Sequence, residues 1–343
     1  MSDRRAFMRE SARRLLAMAS VAAAGSAVAP VLWGCERGSD SDGATKDGAA
    51  TGAESASRSV QDNRKGGKRI AAVSPALAIT LRDLGLADQI VARHAWDMVL
   101  DLKVPIVGDQ SAVDFEALLA ADPTHVMLEW GVRPVPERLA EMATRHDWRV
   151  KSWSLLSYQQ VRASFGEIAA FLAEGADGTP DGGQELLARA TELTARLDAA
   201  CAQRTEATRA GTVLQLHSVM PPAALGPGSF HHEIMERLGG RSALTSGGAY
   251  VQMHMEDLLQ IAPESIVIVE PRDARGGAAK GSSDWPSMER KLGAIARLQI
   301  PAVKERRVAL IDDPLCLTPS SAMIGFAGEL AAILGRWGTA RQG

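Results

Sequence analysis

An internal repeat restricts the fold of this chain more than any other feature. VDFEALLAADPTHVMLE (113–129) aligns without gaps on MHMEDLLQIAPESIVIV (253–269). Glu116 falls opposite Glu256, Leu118 and Leu119 opposite Leu258 and Leu259, and Pro123 opposite Pro263. Each copy reads as a short helix, a proline-marked turn and a buried strand. Helix–proline–strand units recur in many α/β proteins. Here, however, each copy also places a glutamate seven residues ahead of its proline, which favours two related lobes.

The flanking sequence has the same texture. RIAAV (69–73), QIVAR (89–93), HVMLE (125–129) and RVKSW (149–153) are short apolar runs of the kind that form buried parallel strands, with helical stretches near 75–84, 114–121 and 134–145 between them. TVLQLH (212–217), SIVIVE (265–270) and RVALI (307–311) repeat the pattern in the second half. Alternating strands and helices predict α/β layers on parallel sheets. Between the halves, Leu186, Ala190, Leu193, Leu197 and Cys201 form one apolar stripe on a helix predicted over 183–208. At about 1.5 Å per residue such a helix is a rod of roughly 39 Å, long enough to run from one lobe to the other.

Length and charge narrow the function. A chain of 343 residues suggests about two domains. Thirty-eight Lys and Arg against 41 Asp and Glu leave a net charge of −3, which argues against nucleic acid as a partner. Three cysteines cannot build a disulfide scaffold.

The N-terminus reads as an export signal over 1–35. DRRAFMR (3–9) resembles a twin-arginine motif and precedes an uncharged apolar run from Leu15 to Trp33. The run ends in LWGC (32–35), which resembles a lipoprotein processing site with Cys35 as the lipidated residue. The alternative is an uncleaved anchor, since the run is close to the roughly 20 residues that span a bilayer. Residues 36–67 carry Val60 as their one large aliphatic side chain and read as a flexible tether. The remainder divides into an N-terminal α/β lobe (68–182), an interlobe helix (183–208) and a C-terminal α/β lobe (209–343).

Four segments then occur in a telling order: RIAAVSPALAITLRDLGLADQIVAR (69–93), VPIVGDQSAVDFEALLAADPTHVML (104–128), LGPGSFHHEIMERLGG (225–240) and IPAVKERRVALIDD (300–313). Together they resemble the solute-binding proteins of ABC importers for iron–siderophores, cobalamin and haem, over essentially 68–340. The resemblance implies two Rossmann-like lobes with parallel sheets, joined by a single long backbone helix, with ligand in the cleft between them. It implies a monomer that works with an ABC permease and its ATPase subunit, makes or breaks no bond, and has no cofactor of its own. It further implies that Glu116 and Glu256 dock onto arginines of the permease, where charge-assisted bonds fix orientation. The plainer reading of each glutamate is a solvated charge near a helix N-terminus.

Ligands of open α/β sheets gather beyond the carboxyl ends of the strands. Those ends select His94, Trp96, Asp97, Trp130 and Trp153 in the first half, and His217, Phe230, His231, Tyr250 and Arg272 in the second. Aromatic faces suit a macrocycle or chelate, histidine a metal or chelate oxygen, and arginine a carboxylate. Ferric siderophore ranks first as cargo, then cobalamin, then haem. A bare Zn or Mn receptor needs His94, His217 and His231 to converge. A tethered sensor or scavenger of the same fold is the other alternative. Enzyme motifs fail: HEIME (232–236) has Glu236 where a zinc-protease helix needs histidine, and GPGSFH (226–231) lacks the third glycine of a dinucleotide loop.

Overall fold

The structure, a computed structural model, describes residues 67–109, 111–173, 180–273, 281 and 283–340. The expected export signal, Cys35 and the tether up to 66 lie outside the described residues.

The first lobe begins with β1 (Ile70–Val73), α1 (Pro75–Asp83), β2 (Ile90–Arg93), α2 (Phe115–Ala121) and β3 (His125–Leu128). It continues with α3 (Glu137–His146), β4 (Arg149–Ser152) and α4 (Tyr158–Ala173). Its four strands lie in the order β2-β1-β3-β4 and every pair is parallel. The caps explain the boundaries. Ser74 accepts the Leu77 N–H and Pro75 opens α1, where a missing N–H costs nothing. Asp114 caps α2 by accepting from Glu116 and Ala117 N–H at 3.1 and 3.0 Å.

The long helix α5 spans Pro180–Ala200 and packs against α4 on one side. It ends at Ala200 and not near 208 as its stripe suggested; Cys201, the last stripe residue, is buried just past the helix end. After it come β5 (Thr212–Val219), β6 (Pro222–Leu225), α6 (Phe230–Arg237), β7 (Arg241–Ser242) and β8 (Tyr250–Gln252). The chain closes with α7 (Met255–Ile261), β9 (Ser265–Val269), α8 (Trp285–Leu292), α9 (Pro301–Lys304), β10 (Val308–Ile311) and α10 (Met323–Ala340), which also packs on α5.

The second sheet has the order β10-β9-β5-β6-β8, with β7 beside β5. It is mixed, and this corrects the expectation of a parallel sheet. β10, β9, β5 and β7 run parallel, whereas β6 pairs antiparallel with β5 and β8. β6 and β8 are only four and three residues long and Pro222 opens β6, so neither is long enough to read as a strand in the sequence.

The repeat is real in three dimensions. α2 and α7 are seven-residue helices at matching positions, each followed by a buried strand. Each ends on a left-handed residue just before the proline: Asp122 at φ 44° and Ala262 at φ 44°. Glu116 and Glu256 are exposed in both.

Three apolar clusters hold the layers. One, including Val126, Leu128 and Leu139, belongs to the outer side of the first lobe. A second, including Leu214, Ile266 and Met288, belongs to the outer side of the second. The third is shared: Ile70 and Leu77 of the first lobe, Leu193 and Leu197 of α5, and Val267 and Phe326 of the second form one continuous core. Contacts at this density resist relative movement of the two sheets.

Candidate ligand cleft

The carboxyl ends of β1 and β3 lie side by side in the first sheet, so the residues that follow them are neighbours. Ser74 follows β1 and Glu129 follows β3. The Ser74 hydroxyl donates to Glu129 Oε2 at 2.5 Å. Glu129 keeps partial exposure, yet burial raises its carboxyl from the ordinary range to about 7, against a smaller opposing effect of the Ser74 bond. Trp130 comes next. Its backbone N–H donates to Ser152 Oγ at 3.1 Å, and Arg133 lies over its ring at 4.8 Å. The Trp130 indole N–H is buried without a hydrogen-bond partner among the described residues.

From the second lobe, Tyr250 of β8 and His217 of β5 meet edge to face at 5.6 Å. Burial, and then the Glu129 carboxyl, raise the Tyr250 phenol. Glu129 of the first lobe is thus near enough to Tyr250 of the second for its charge to be felt. Burial lowers the His217 imidazole, and its Nε2 is buried with no hydrogen-bond partner among the described residues. A neutral imidazole with a spare nitrogen can donate to a chelate or ligate a metal. Glu129 was missed in the sequence because it closes an apolar run and reads as the last residue of a strand. The strand-end logic that selected Trp130 points equally to its neighbour.

Other expected residues are elsewhere. Trp153 is only 4% exposed and packs edge-on against Phe171, with Lys151 over its ring. It forms a wall of a pocket of about 310 Å³ between β4 and α4, with Ser152, Gln160 and Glu167. Phe230 and His231 stack on each other at 3.8 Å and pack against Phe326 in the shared core. His231 spends Nε2 on the Cys316 carbonyl at 2.8 Å, and burial pushes its imidazole down to about 3. Phe230 and His231 thus spend their ring faces on the shared core, and Trp153 lies at the β4–α4 pocket.

His94 is fully buried, and its Nδ1 accepts the Trp96 N–H at 2.9 Å, which fixes the turn after β2. Asp97 Oδ1 takes the N–H groups of Val99 and Leu100, and Trp96 is half-buried beside it. Arg272 is pinned to Asp312 Oδ1 at 3.2 Å. Of the expected set, the structure brings His217 and Tyr250 together and sets Trp130 beside Glu129.

The profile of the periplasmic binding protein family matches residues 70–315. The chain belongs to the periplasmic binding protein family. Members of this family bind and carry; they are not enzymes. No curated protein matches the sequence. Several solved structures share the fold. The periplasmic heme-binding protein RhuT from Roseiflexus sp. RS-1 is 16% identical with a TM-score of 0.55, over 80% of this chain and 100% of that one. HutB, a periplasmic heme-binding protein of Vibrio cholerae, is 18% identical with a TM-score of 0.58, over 78% and 98%. The vitamin B12 binding protein BtuF of Vibrio cholerae is 16% identical with a TM-score of 0.55, over 79% and 97%. At such identities the likeness is one of fold. Among the described residues, no helix of this periplasmic binding protein is long and apolar enough to cross a membrane.

Proposed function

We propose that this protein is the extracytoplasmic substrate-binding component of an ABC importer. It captures a metal chelate between its lobes and delivers it to a membrane permease whose ATPase subunit supplies the energy. Ferric siderophore is the first choice of cargo, cobalamin the next and haem the third. The observation that carries this reading is the edge-to-face pair of His217 and Tyr250 in one lobe, with Glu129 of the other near enough for its charge to raise the Tyr250 phenol. Polar groups that converge from two lobes, with Trp130 beside them, suit a cargo with an apolar body and polar edges. The rim supports the same chemistry: Met98, Val132 and Leu156 are exposed on turns that follow β2, β3 and β4.

Delivery assigns Glu116 and Glu256 as docking residues. Three residues on, at the same helical face, Leu119 and Leu259 are 42% and 48% exposed. Each lobe thus offers one carboxylate beside one apolar side chain, and a permease with two equivalent basic sites would meet both. A lipid on Cys35, or an uncleaved N-terminal anchor, would hold the monomer near that partner.

The bare-cation alternative loses support, because His94 Nδ1 is held by the Trp96 N–H and His231, although near enough to His217 to feel its charge, has Nε2 engaged with the Cys316 carbonyl. Among the described residues no three His, Cys, Asp or Glu side chains gather around a cation site. Titration of Trp96 and Trp130 fluorescence with ferric siderophores, cyanocobalamin, haemin, Zn²⁺ and Mn²⁺ tests the reading. Saturable quenching by one chelate at micromolar concentration or below supports it. A response to bare cations alone moves the protein to the metal-receptor class, and silence to the sensor or scavenger class.

A further inference from the structure

In the order β2-β1-β3-β4 the chain turns to opposite sides of β1, so the strand order reverses between β1 and β3. Beyond the carboxyl ends at such a switch point an open parallel sheet takes its ligand. Ser74 and Glu129 occupy that crevice, one past each strand. The Ser74 oxygen is committed twice, since it accepts the Leu77 N–H of the α1 cap and donates to Glu129 Oε2. The aim of the carboxyl is therefore set by a helix cap.

The groups around it are a hydroxyl from Ser74, the indole of Trp130 next in the chain, and Tyr250 with His217 from the other lobe. Arg133 is engaged with the Trp130 ring and carbonyl. Among the described residues no cation forms an ion pair with Glu129, and a carboxyl that burial raises to about 7 is costly to ionise without one. A donor brought by the cargo would offset that cost.

We propose that Glu129 is the specificity-determining residue of the cleft, selecting a chelate that presents N–H donors, ammonium or amide, and rejecting carboxylate-bearing or polyanionic chelates. This rests on the chelate-receptor reading above. Burial holds the carboxyl near about 7, so at neutral pH an ammonium draws it into the ionised form, whereas a carboxylate meets repulsion.

The test uses ferrioxamine B, which carries one ammonium, and its uncharged N-acetyl derivative. Cyanocobalamin is the amide-bearing probe, and a ferric tris-catecholate trianion and haemin are the anionic ones. For the ammonium source, the wild type prefers ferrioxamine B over its acetylated form by tenfold or more at pH 8, and less at pH 6. Glu129→Gln erases both the preference and its pH dependence without lowering the melting temperature. For the amide source, cyanocobalamin binds, Glu129→Gln stays within a few fold, and Glu129→Ala loses tenfold. A trianion or haemin bound as tightly as the donors, or a preference that survives in Glu129→Gln, overturns the inference and leaves the receptor reading standing. No saturable binding of any probe by the wild type overturns the receptor reading and the inference with it.

Discussion

Asp198 grips Arg162 with both carboxylate oxygens, each 2.7 Å from a guanidinium nitrogen. The same carboxylate accepts the Tyr158 hydroxyl at 2.7 Å, and Arg237 lies over the Tyr158 ring at 4.0 Å. Glu233 of α6 accepts the Tyr158 backbone N–H at 2.7 Å. This knot ties α4 to α5 and α6, where the first lobe joins the second.

Asp198→Asn therefore weakens the junction, though modestly. The two side chains are 40% and 38% exposed, so solvent screens the pair, and about 1 kcal/mol is the expected loss. Arg162, and then the Tyr158 bond, hold the Asp198 carboxyl below its usual value. A depressed carboxylate stabilises the fold above its unfolded pKa and loses that contribution as pH falls through the folded one. Urea melts should separate wild type from variant at pH 7, and the gap should narrow as pH falls below the ordinary Asp value. An equal gap at every pH would remove the charge from the explanation.

Acid should weaken the protein earlier, through two histidines. Burial pushes His125 down to about 4 and His231 down to about 3. Below the ordinary value of about 6.5 the unfolded chain takes up protons that the folded one refuses. Each histidine then costs about 2 kcal/mol at pH 5 relative to pH 7. Glu129 acts in the opposite sense, since its raised carboxyl favours the folded state below about 7 and disfavours it above. Two groups outweigh one, so stability falls between pH 7 and 5. His231→Gln should flatten that slope in urea melts, and an unchanged slope would contradict the buried neutral imidazole.

Docking and capture should separate by mutation. Glu116→Ala with Glu256→Ala should abolish uptake and leave cargo affinity within a factor of two. Leu119→Ser with Leu259→Ser should reduce uptake while keeping a residual rate, because the carboxylates still steer encounter. Uptake by whole cells against affinity of the purified protein checks both. Lost affinity in either pair, or normal uptake in the glutamate pair, would count against these tips as docking surfaces.

Long-range order was legible where sequence period and burial agree. HVML and SIVIV are continuous apolar runs because their strands are covered on both faces, and they were readable as such. The antiparallel strands β6 and β8 were not, because strands of four and three residues, the first led by a proline, leave no period to detect. At the strand ends, topology fixes where His217, Tyr250 and Trp130 lie, and the structure sets His217 against Tyr250 and Trp130 beside Glu129. The packing of Trp153, Phe230 and His231 was not legible, because topology places a residue near a strand end without deciding which way its side chain packs. That choice depends on partners distant in sequence, such as Phe171 for Trp153 and Phe326 for the other two. Glu129 shows the reverse: its neighbour Ser74 is fixed by a helix cap the sequence does contain, but their contact spans fifty-five positions.

Two glycines of α10 should respond oppositely to the same change. At Gly335 an added methyl meets nothing within 4 Å. Alanine there lowers the entropy of the unfolded chain and favours the helix, a gain of about 0.5–1 kcal/mol. At Gly338 the methyl would collide with the backbone carbonyl of Glu206, in the turn just before the short helix Ala207–Arg209 that packs on α10. Backbone cannot rotate away as a side chain can. Helix propensity alone predicts that Gly338→Ala stabilises; packing predicts a loss of about 1–3 kcal/mol. Thermal melts of the two single variants decide the matter, because a stabilised Gly338→Ala would mean that α10 does not approach the 206–209 turn this closely.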